Sequence, residues 1–417
     1  MSKIRKVKYF LFLIVFLFAL LLLRVATVQT EKTGINKLRD IVPKRIKAKI
    51  LFVRSKLLNG SISSVESFSI DGVEHNFYKY YISEENKEIS GNKPTGYLQQ
   101  FNDKIIFVTG RGLFYVIDLK QFDEKKILPI PINNNFEKDE KILARGPIGI
   151  RDLKIKDDYI YVSYQKKISE NCYNLAIDRS VFNLEKLNFK NFFSFKECSR
   201  KKEGAWAVLS GGRLAFKGNY IYYSIGEMAL RDISQDDDSY FGKIIKININ
   251  NPKEVKIAAK GLRNSQGLFY DDIKDIILIT DHAELGGDEI NVIKNINEVP
   301  NFGWPVASYG DPYSGNNNFL KSHKLNGFKE PFYYFKEKRV GVSQIIGHNM
   351  DKNKARYLVT SMRGKSIFFF DLINDEKLEI NKRIILKERI RDIIKIDDKK
   401  MYIMVLETSP AIGVIKY

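Results

Sequence analysis

Cysteine is scarce in this sequence, and long segments with helical periodicity are missing. Only Cys172 and Cys198 occur among the 417 residues, so at most one disulfide can form within the chain. An α/β fold needs long amphipathic segments between its strands, and their absence excludes that fold class. The hydrophobic content of 44% still allows a sizeable core, in one large β domain or two smaller ones.

The sequence also lacks a concentrated basic segment, although its formal net charge is +19. Lysines are scattered among isoleucines and asparagines along the chain, whereas nucleic-acid-binding proteins cluster their basic side chains on one face or segment. We therefore expect no nucleic-acid partner. The charge predicts a solvated basic surface that favours anionic lipid headgroups.

The N-terminus carries a pattern typical of export. Residues 1–8 include four basic side chains, and an apolar run follows from Tyr9 to Leu23. This pattern predicts that residues 9–26 are a signal anchor or a cleaved signal peptide. The run of 15 residues is short for a span, which takes about 20, and no clean small-x-small cleavage site follows it. An ordinary buried helix is the remaining interpretation.

If the basic flank stays inside, the rest of the chain lies in the periplasm, anchored to the inner membrane or released from it. Residues 27–45 are polar and basic and predict a tether, which leaves residues 46–417 as the folded domain. In an oxidising compartment Cys172 and Cys198 form a disulfide or remain two buried thiols, and their spacing does not decide between these states.

A polar turn followed by a β-branched and aromatic strand recurs along this domain. Such units are typical of hairpins, and their repetition indicates the blades of a β-propeller, each of which buries its faces against its neighbours. We count six units and predict an all-β, six-bladed β-propeller behind the N-terminal signal or anchor helix; a β-sandwich is the alternative. The strands are IIFVTG after Asn102-Asp103, YIYVSY after Asp157-Asp158, YIYYSIG after Gly218-Asn219, IILITD after Asp271-Asp272, RYLVTS after Asn353-Lys354 and MYIMVL after Asp397-Asp398.

Three motifs in order resemble those of a known family. They are GLRNSQGL at 261–268, DHAELGGDEIN at 281–291, and NFGWP at 301–305 with SYG at 308–310. Flanking blocks at 211–214, 360–365 and 389–392 extend the likeness over residues 95 to 417. The chain thereby resembles the glucose and sorbosone dehydrogenases, periplasmic β-propellers that use pyrroloquinoline quinone (PQQ) and Ca²⁺.

This resemblance implies a cofactor site, and the residue types agree with it. PQQ carries three carboxylates, which planar guanidinium groups bind well. The implied cofactor-binding residues are Arg263, Asn264, His282, Asp288, Arg363, Arg389 and Arg391. By the same resemblance, the carbonyl groups of Ala283 and Glu284 bind the Ca²⁺ that holds PQQ, and Glu289 binds a second, structural Ca²⁺. Such oxygen ligands suit this ion.

One departure from the family concerns catalysis. Relatives carry a histidine two residues before the GGRL block, where it takes the proton of the sugar's anomeric hydroxyl, but this chain has Leu209 there. Leucine cannot accept a proton, and a positioned base contributes about 10²–10⁴ in rate. The catalytic residue is thus unknown, with Glu227 and His282 as substitute candidates. Ala283-Glu284 in place of Gly-Pro, and Arg363 in place of lysine, are smaller departures.

Two functions therefore remain open. The first is a PQQ- and Ca²⁺-dependent aldose dehydrogenase that oxidises a sugar at C1 to the lactone and passes electrons to an unidentified acceptor. The second is a non-catalytic propeller that binds sugar, PQQ or a protein partner. Leu209 favours the second function, and the set of arginines favours the first.

Overall fold

The computed structural model describes residues 62–416 except 71–72, 83–94, 125, 137–148, 170–171, 201–208, 296, 314–317, 351–354 and 410. The predicted N-terminal segments therefore lie outside the described residues. No helix in the described part is long and apolar enough to cross a membrane.

Six sheets follow one another along the described chain, and their strand pairs are antiparallel except for one short pair. The first strands are β1 (Ile62–Ile70) and β2 (Val73–Tyr81). Blade 1 contains β3 (Gly96–Phe101), β4 (Lys104–Thr109), β5 (Phe114–Asp118) and β6 (Ile130–Asn134). Blade 2 contains β7 (Ile150–Lys156), β8 (Tyr159–Ser169) and β9 (Cys172–Val181). Next come β10 (Lys186–Leu187), which pairs in parallel with β6, and β11 (Lys190–Ser194) and β12 (Ser199–Arg200), which both pair with β9.

The remaining blades are regular. Blade 3 contains β13 (Gly211–Lys217), β14 (Tyr220–Ile225), β15 (Lys243–Asn248) and β16 (Val255–Ala259). Blade 4 contains β17 (Ser265–Asp271), β18 (Ile276–Asp281), β19 (Glu289–Ile293) and β20 (Tyr333–Tyr334). Blade 5 contains β21 (Val342–Met350), β22 (Ala355–Ser361), β23 (Ser366–Ile373) and β24 (Lys377–Ile385). Short 3₁₀ helices lie at Leu119–Asp123, Arg231–Gln235 and Lys324–Asn326.

Blade 6 joins the two ends of the domain and closes the ring. It contains β25 (Ile390–Ile396), β26 (Met401–Leu406) and β27 (Ala411–Lys416). The N-terminal β2 pairs with β27, and β1 forms the outer edge. The first strands of neighbouring blades, β3, β7, β13, β17, β21 and β25, contact one another around the axis. The prediction of a six-bladed all-β propeller is confirmed.

The hydrophobic core lies between the blades. In the described residues six clusters of buried apolar side chains each combine strands from two adjacent blades. The second strand of a blade is therefore covered on both faces, and β18 and β26 are buried at every position. This explains why these strands are continuously apolar instead of alternating, and why the six predicted repeats coincide with β4, β8, β14, β18, β22 and β26.

A disulfide connects Cys172, at the start of β9, with Cys198, just before β12. The Cα atoms of the two cysteines are 5.5 Å apart, and the bond fastens the outer part of blade 2. Of the two states that the sequence left open for these cysteines, the structure has the disulfide.

Candidate functional site

Arg213 occupies the propeller axis and connects the first strands of several blades. Its Nη1 lies 2.9 Å from Asp392 Oδ1 and 3.3 Å from Asp152 Oδ1, and its Nε donates to the Gln266 carbonyl at 2.7 Å. Burial would lower the pKa of Arg213, but the charges of Asp392 and Asp152 raise it above its usual value. Gly212 must be glycine, because its φ is +105° and a Cβ would lie 2.3 Å from Arg151 Cβ.

The GLRNSQG motif is fixed by a buried carboxylate at the end of β18. Asp281 accepts the backbone N–H groups of Arg263 and Asn264, both at 2.8 Å, and the Ser265 hydroxyl. The Asn264 side-chain oxygen accepts Gln266 Nε2 at 2.7 Å and the Gly211 N–H at 3.2 Å. Asn264 thus connects the motif to the GGRL block of blade 3 and has a positioning role here.

The loop after β18 folds over the Arg263 guanidinium. Arg263 Nη1 donates to the carbonyls of His282 and Ala283, both at 2.8 Å. The Glu284 carboxylate turns to Arg231 Nη1, 2.7 Å away, and to the Tyr313 N–H, also 2.7 Å away. The Glu284 side chain is therefore engaged outside the loop, and its backbone carbonyl is the group relevant to the predicted ion.

Asp288 holds this loop against blade 5. Its Oδ1 accepts the Ala283 N–H at 3.0 Å, and its Oδ2 accepts the N–H groups of Gly341 at 2.7 Å and Val342 at 3.1 Å. The His282 ring is close by, with Nε2 3.9 Å from Asp288 Oδ1. Asp288 therefore positions the loop through backbone hydrogen bonds, and contact with a cofactor stays a prediction.

Two arginines of blade 6 share one carboxylate. Arg391 Nε donates to Glu407 Oε1 at 2.7 Å, and Arg391 Nη1 donates to Gln266 Oε1 at 2.7 Å. Arg389 contacts Glu407 Oε2 through Nη2 at 3.1 Å. Burial lowers the pKa of Arg389, and the charges of Arg391 and Arg363 add to this effect although Glu407 opposes it. Arg363 itself is exposed.

His282 lies among these cations. Burial lowers the pKa of its imidazole; Asp288 opposes the shift, whereas Arg263, Arg363 and Arg391 reinforce it. The ring is consequently neutral near pH 7. Four guanidinium groups from three parts of the ring, those of Arg263, Arg363, Arg389 and Arg391, thus act on one region of the protein. The structure brings together the cation set that the sequence predicted.

The position of the family histidine lies beside a buried carboxylate. Leu209 has a left-handed backbone with φ of 57°, and its carbonyl accepts the Met228 N–H at 3.1 Å. Glu227, the residue before Met228, is 3% exposed. Its Oε2 accepts a hydrogen bond from Trp304 Nε1 at 2.6 Å, and its Oε1 lies 3.8 Å from Arg263 Nε. Burial raises the pKa of Glu227 to about 7, although the Trp304 hydrogen bond and Arg263 oppose the shift.

Glu289, at the start of β19, lies against His323. Glu289 Oε1 is 3.3 Å from His323 Nε2, and Glu289 Oε2 accepts Asn291 Nδ2 at 3.0 Å. The imidazole is completely buried. Burial raises the pKa of Glu289 well above its usual range.

The residues present fit PQQ, because an excess of guanidinium groups suits a tricarboxylate and because Arg263 Nε is buried without a hydrogen-bond partner. The carbonyls of Ala283 and Glu284 are oxygen donors of the kind that Ca²⁺ takes, although Ala283 already accepts Arg263. Within the described residues, no three or more His, Cys, Asp or Glu side chains are grouped to hold a metal.

Sequence reasoning missed Glu407 and the partners of Arg213. A signal for Glu407 existed, since acidic residues stand at or just after the end of the second strand in three blades: Glu227, Asp281 and Glu407. All three are buried and contact motif arginines or their backbone. The carboxylate partners of Arg213 come from blades 2 and 6, and no local pattern connects them to it.

Known proteins resemble this chain in sequence and in fold. The aldose sugar dehydrogenase YliI of Escherichia coli (strain K12) is 26% identical over 307 residues, which span 64% of this chain and 77% of that protein. The apo-form crystal structure of the soluble aldose sugar dehydrogenase from Escherichia coli has a TM-score of 0.63 at 22% identity, covering 78% of this chain and 96% of that one.

The PQQ-bound aldose sugar dehydrogenase from Streptomyces coelicolor has the same fold, with a TM-score of 0.55 at 17% identity; the match covers 78% of this chain and 94% of that one. The sequence model of the Glucose / Sorbosone dehydrogenase family matches residues 99–412, which is most of the chain and includes every motif residue described above. This chain therefore belongs to the glucose/sorbosone dehydrogenase family.

Proposed function

We propose that this protein binds PQQ with Ca²⁺ and oxidises an aldose at C1 to the lactone. The observation that carries the proposal is a continuous group of cations. Arg263, Arg363 and Arg391 act on His282, and Arg363 and Arg391 also act on Arg389. A purely structural propeller gains nothing from like charges that act on one another, whereas a tricarboxylate offsets them.

Within the proposed complex, the arginines bind the carboxylates of PQQ, and the carbonyls of Ala283 and Glu284 hold Ca²⁺. Bound PQQ supplies a quinone that accepts the two electrons and the hydrogen from C1. His282 is neutral because burial lowers its pKa, so its imidazole adds no further positive charge beside the arginines. The Asp288 hydrogen bonds keep the loop carbonyls oriented.

Glu227 is the group best suited to take the hydroxyl proton in the absence of the family histidine. It adjoins Leu209 through the Met228 backbone, and its pKa of about 7 lies where a general base works best. Its carboxyl is almost completely buried, so we propose that the proton reaches Glu227 Oε1 through one bridging water. His282 is a poorer candidate because its ring faces Asp288 and the arginines.

A second candidate function is a propeller that binds PQQ or sugar without turnover. Leu209 favours it, because an apolar side chain stands where relatives carry the base. In this alternative Glu227 stays protonated or inaccessible and serves only to bind the Trp304 indole N–H.

Reconstitution of the full-length protein separates these functions. Apoprotein is titrated with PQQ at millimolar Ca²⁺, and dye reduction is then followed with a panel of aldoses. We expect saturable PQQ binding and turnover that falls as the pH drops through about 7, because protonated Glu227 cannot accept a proton. Absence of PQQ binding contradicts both functions.

Two variants refine the test. Glu227→Gln is expected to bind PQQ normally but to lose turnover by about 10²-fold or more. Leu209→His restores the family base and is expected to raise turnover in both the wild-type and the Glu227→Gln backgrounds. If the wild type binds PQQ without turnover and only Leu209→His is active, the binding function is the correct one.

We further propose that the protein is exported and that residues 9–26 hold it at the periplasmic face of the inner membrane. The basic residues before the apolar run support this proposal, and so does the disulfide, since such bonds persist in oxidising compartments. An alkaline phosphatase fused to the C-terminus should be active in intact cells and should sediment with membranes. Activity in the soluble fraction instead would indicate a cleaved signal peptide.

A further inference from the structure

We infer that His323 takes the place of a divalent cation beside Glu289, so that blade 4 is held there without calcium. The imidazole lies with Nε2 3.3 Å from Glu289 Oε1. The carbonyl groups of Phe302 and Lys329 also face the ring, although neither makes a well-aligned hydrogen bond with it. One carboxylate and two carbonyls thus face the imidazole, and oxygens of these kinds are ligands that Ca²⁺ takes.

The histidine leaves no room for such an ion. Ca²⁺ takes six to eight oxygen ligands at about 2.3–2.6 Å, and imidazole nitrogen suits zinc, copper or nickel instead. His323 is 0% exposed, so the ring fills the space that an ion bound to Glu289 Oε1 would need. The other oxygen, Oε2, is already paired with Asn291 Nδ2.

An aromatic stack fixes the ring in this place. The His323 imidazole lies parallel to the Tyr309 ring, with the centroids 5.1 Å apart and the planes at 4°. Tyr309 in turn stacks on Tyr334 of β20 at 3.8 Å, and its hydroxyl donates to Glu330. These contacts hold the ring against Glu289 without a metal and connect it to the outer strand of blade 4.

The position of Glu289 affects the candidate site because Glu289 is joined to Asp288 by a peptide bond. Glu289 follows Asp288, whose carboxylate fixes the loop at Ala283 and the start of β21. Holding Glu289 in place therefore holds Asp288 as well. If His323 performs this task, the cofactor loop keeps its shape in calcium-free protein, and only the PQQ-associated ion remains to be supplied from solution.

The test uses full-length apoprotein without PQQ, so it does not depend on the proposed enzymatic function. Wild type, Glu289→Gln and His323→Ala are dialysed against a chelator, and their metal content and thermal midpoints are measured with and without millimolar Ca²⁺. We expect the chelator-treated wild type to carry no metal. Any rise that Ca²⁺ causes in its thermal midpoint should also occur in Glu289→Gln. We expect His323→Ala to have a lower midpoint that Ca²⁺ restores.

Comparison with Glu289→Gln separates this site from any ion bound at Ala283 and Glu284, because only the former needs the Glu289 carboxylate. A Ca²⁺-dependent rise in the wild type that disappears in Glu289→Gln would overturn the inference. So would stoichiometric zinc in the wild type that either variant loses, because the unpartnered Asn291 Oδ1 and His323 nitrogens would then be metal ligands. The wild-type measurements decide even if His323→Ala does not fold.

Discussion

Arg213 at the propeller axis and Arg389 in blade 6 are both largely buried, yet the charges around them differ in sign. Arg213 faces the carboxylates of Asp392 and Asp152, which raise its pKa. Burial lowers the pKa of Arg389, and the nearby Arg391 and Arg363 guanidinium groups add to this shift, while Glu407, which Arg389 shares with Arg391, opposes it. The charges at the axis are compensated within the protein, whereas the charges that we propose bind PQQ are in excess.

The largest effect is expected at the axis. Arg213→Met removes the cation from between two buried carboxylates, and breaking a buried pair in this way costs about 3–5 kcal/mol. Chemical denaturation should show this loss or an unfolded protein. Lys377→Met is the control, because its pair with Glu379 is exposed and worth less than about 1 kcal/mol. Equal losses in the two variants would mean that the axial network is not structural.

For Arg389, we expect a substitution to weaken PQQ binding while leaving the unfolding free energy nearly unchanged. Arg389→Met leaves Glu407 paired with Arg391 and relieves repulsion between cations, so unfolding free energy should change little. PQQ affinity should fall about 10- to 100-fold, since a hydrogen bond to a charged group is worth about 1.5–3 kcal/mol. Titration of apoprotein with PQQ measures this change.

Arg356→Met is the matched control for that titration. Arg356 is paired with Asp371 at 2.6 Å at the beginning of β22, the end opposite to Arg363. Its loss should leave PQQ affinity unchanged. If Arg389→Met unfolds the protein while affinity per folded molecule stays constant, the excess of cations is structural and the comparison with Arg213 fails.

The same contrast explains what the sequence could and could not predict. The six second strands were readable because burial on both faces makes them continuously apolar. The motif arginines could be predicted because each belongs to a short local motif and the motifs occur in a fixed order. The two carboxylate partners of Arg213 lie 61 and 179 positions away in sequence, and only closure of the ring brings them to the arginine. His323 beside Glu289 likewise depends on the path of a long loop within blade 4.

A third effect, intermediate in size, concerns Glu227 and pH. Its folded pKa of about 7 exceeds the usual value of 4.5, so the folded state loses stability as the pH rises between these values. Glu227→Gln removes this loss and should be more stable by about 2–3 kcal/mol above pH 7, with the advantage vanishing near pH 4. Denaturation at several pH values measures it. A difference independent of pH would mean that Glu227 is not the titrating group.

The smallest effect is expected at Arg363, the one motif arginine that is exposed. Arg363→Lys keeps the charge but loses the planar fork, and water screens whatever remains. We expect PQQ affinity to fall only about two- to fivefold, or about 0.4–1 kcal/mol, in the same titration used for Arg389→Met. A loss as large as that of Arg389→Met would show that Arg363 becomes buried when PQQ binds. The excess of positive charge, and not the burial of each arginine in the free protein, would then identify the PQQ-binding residues. Exposure alone would not distinguish a binding arginine from a solvated one.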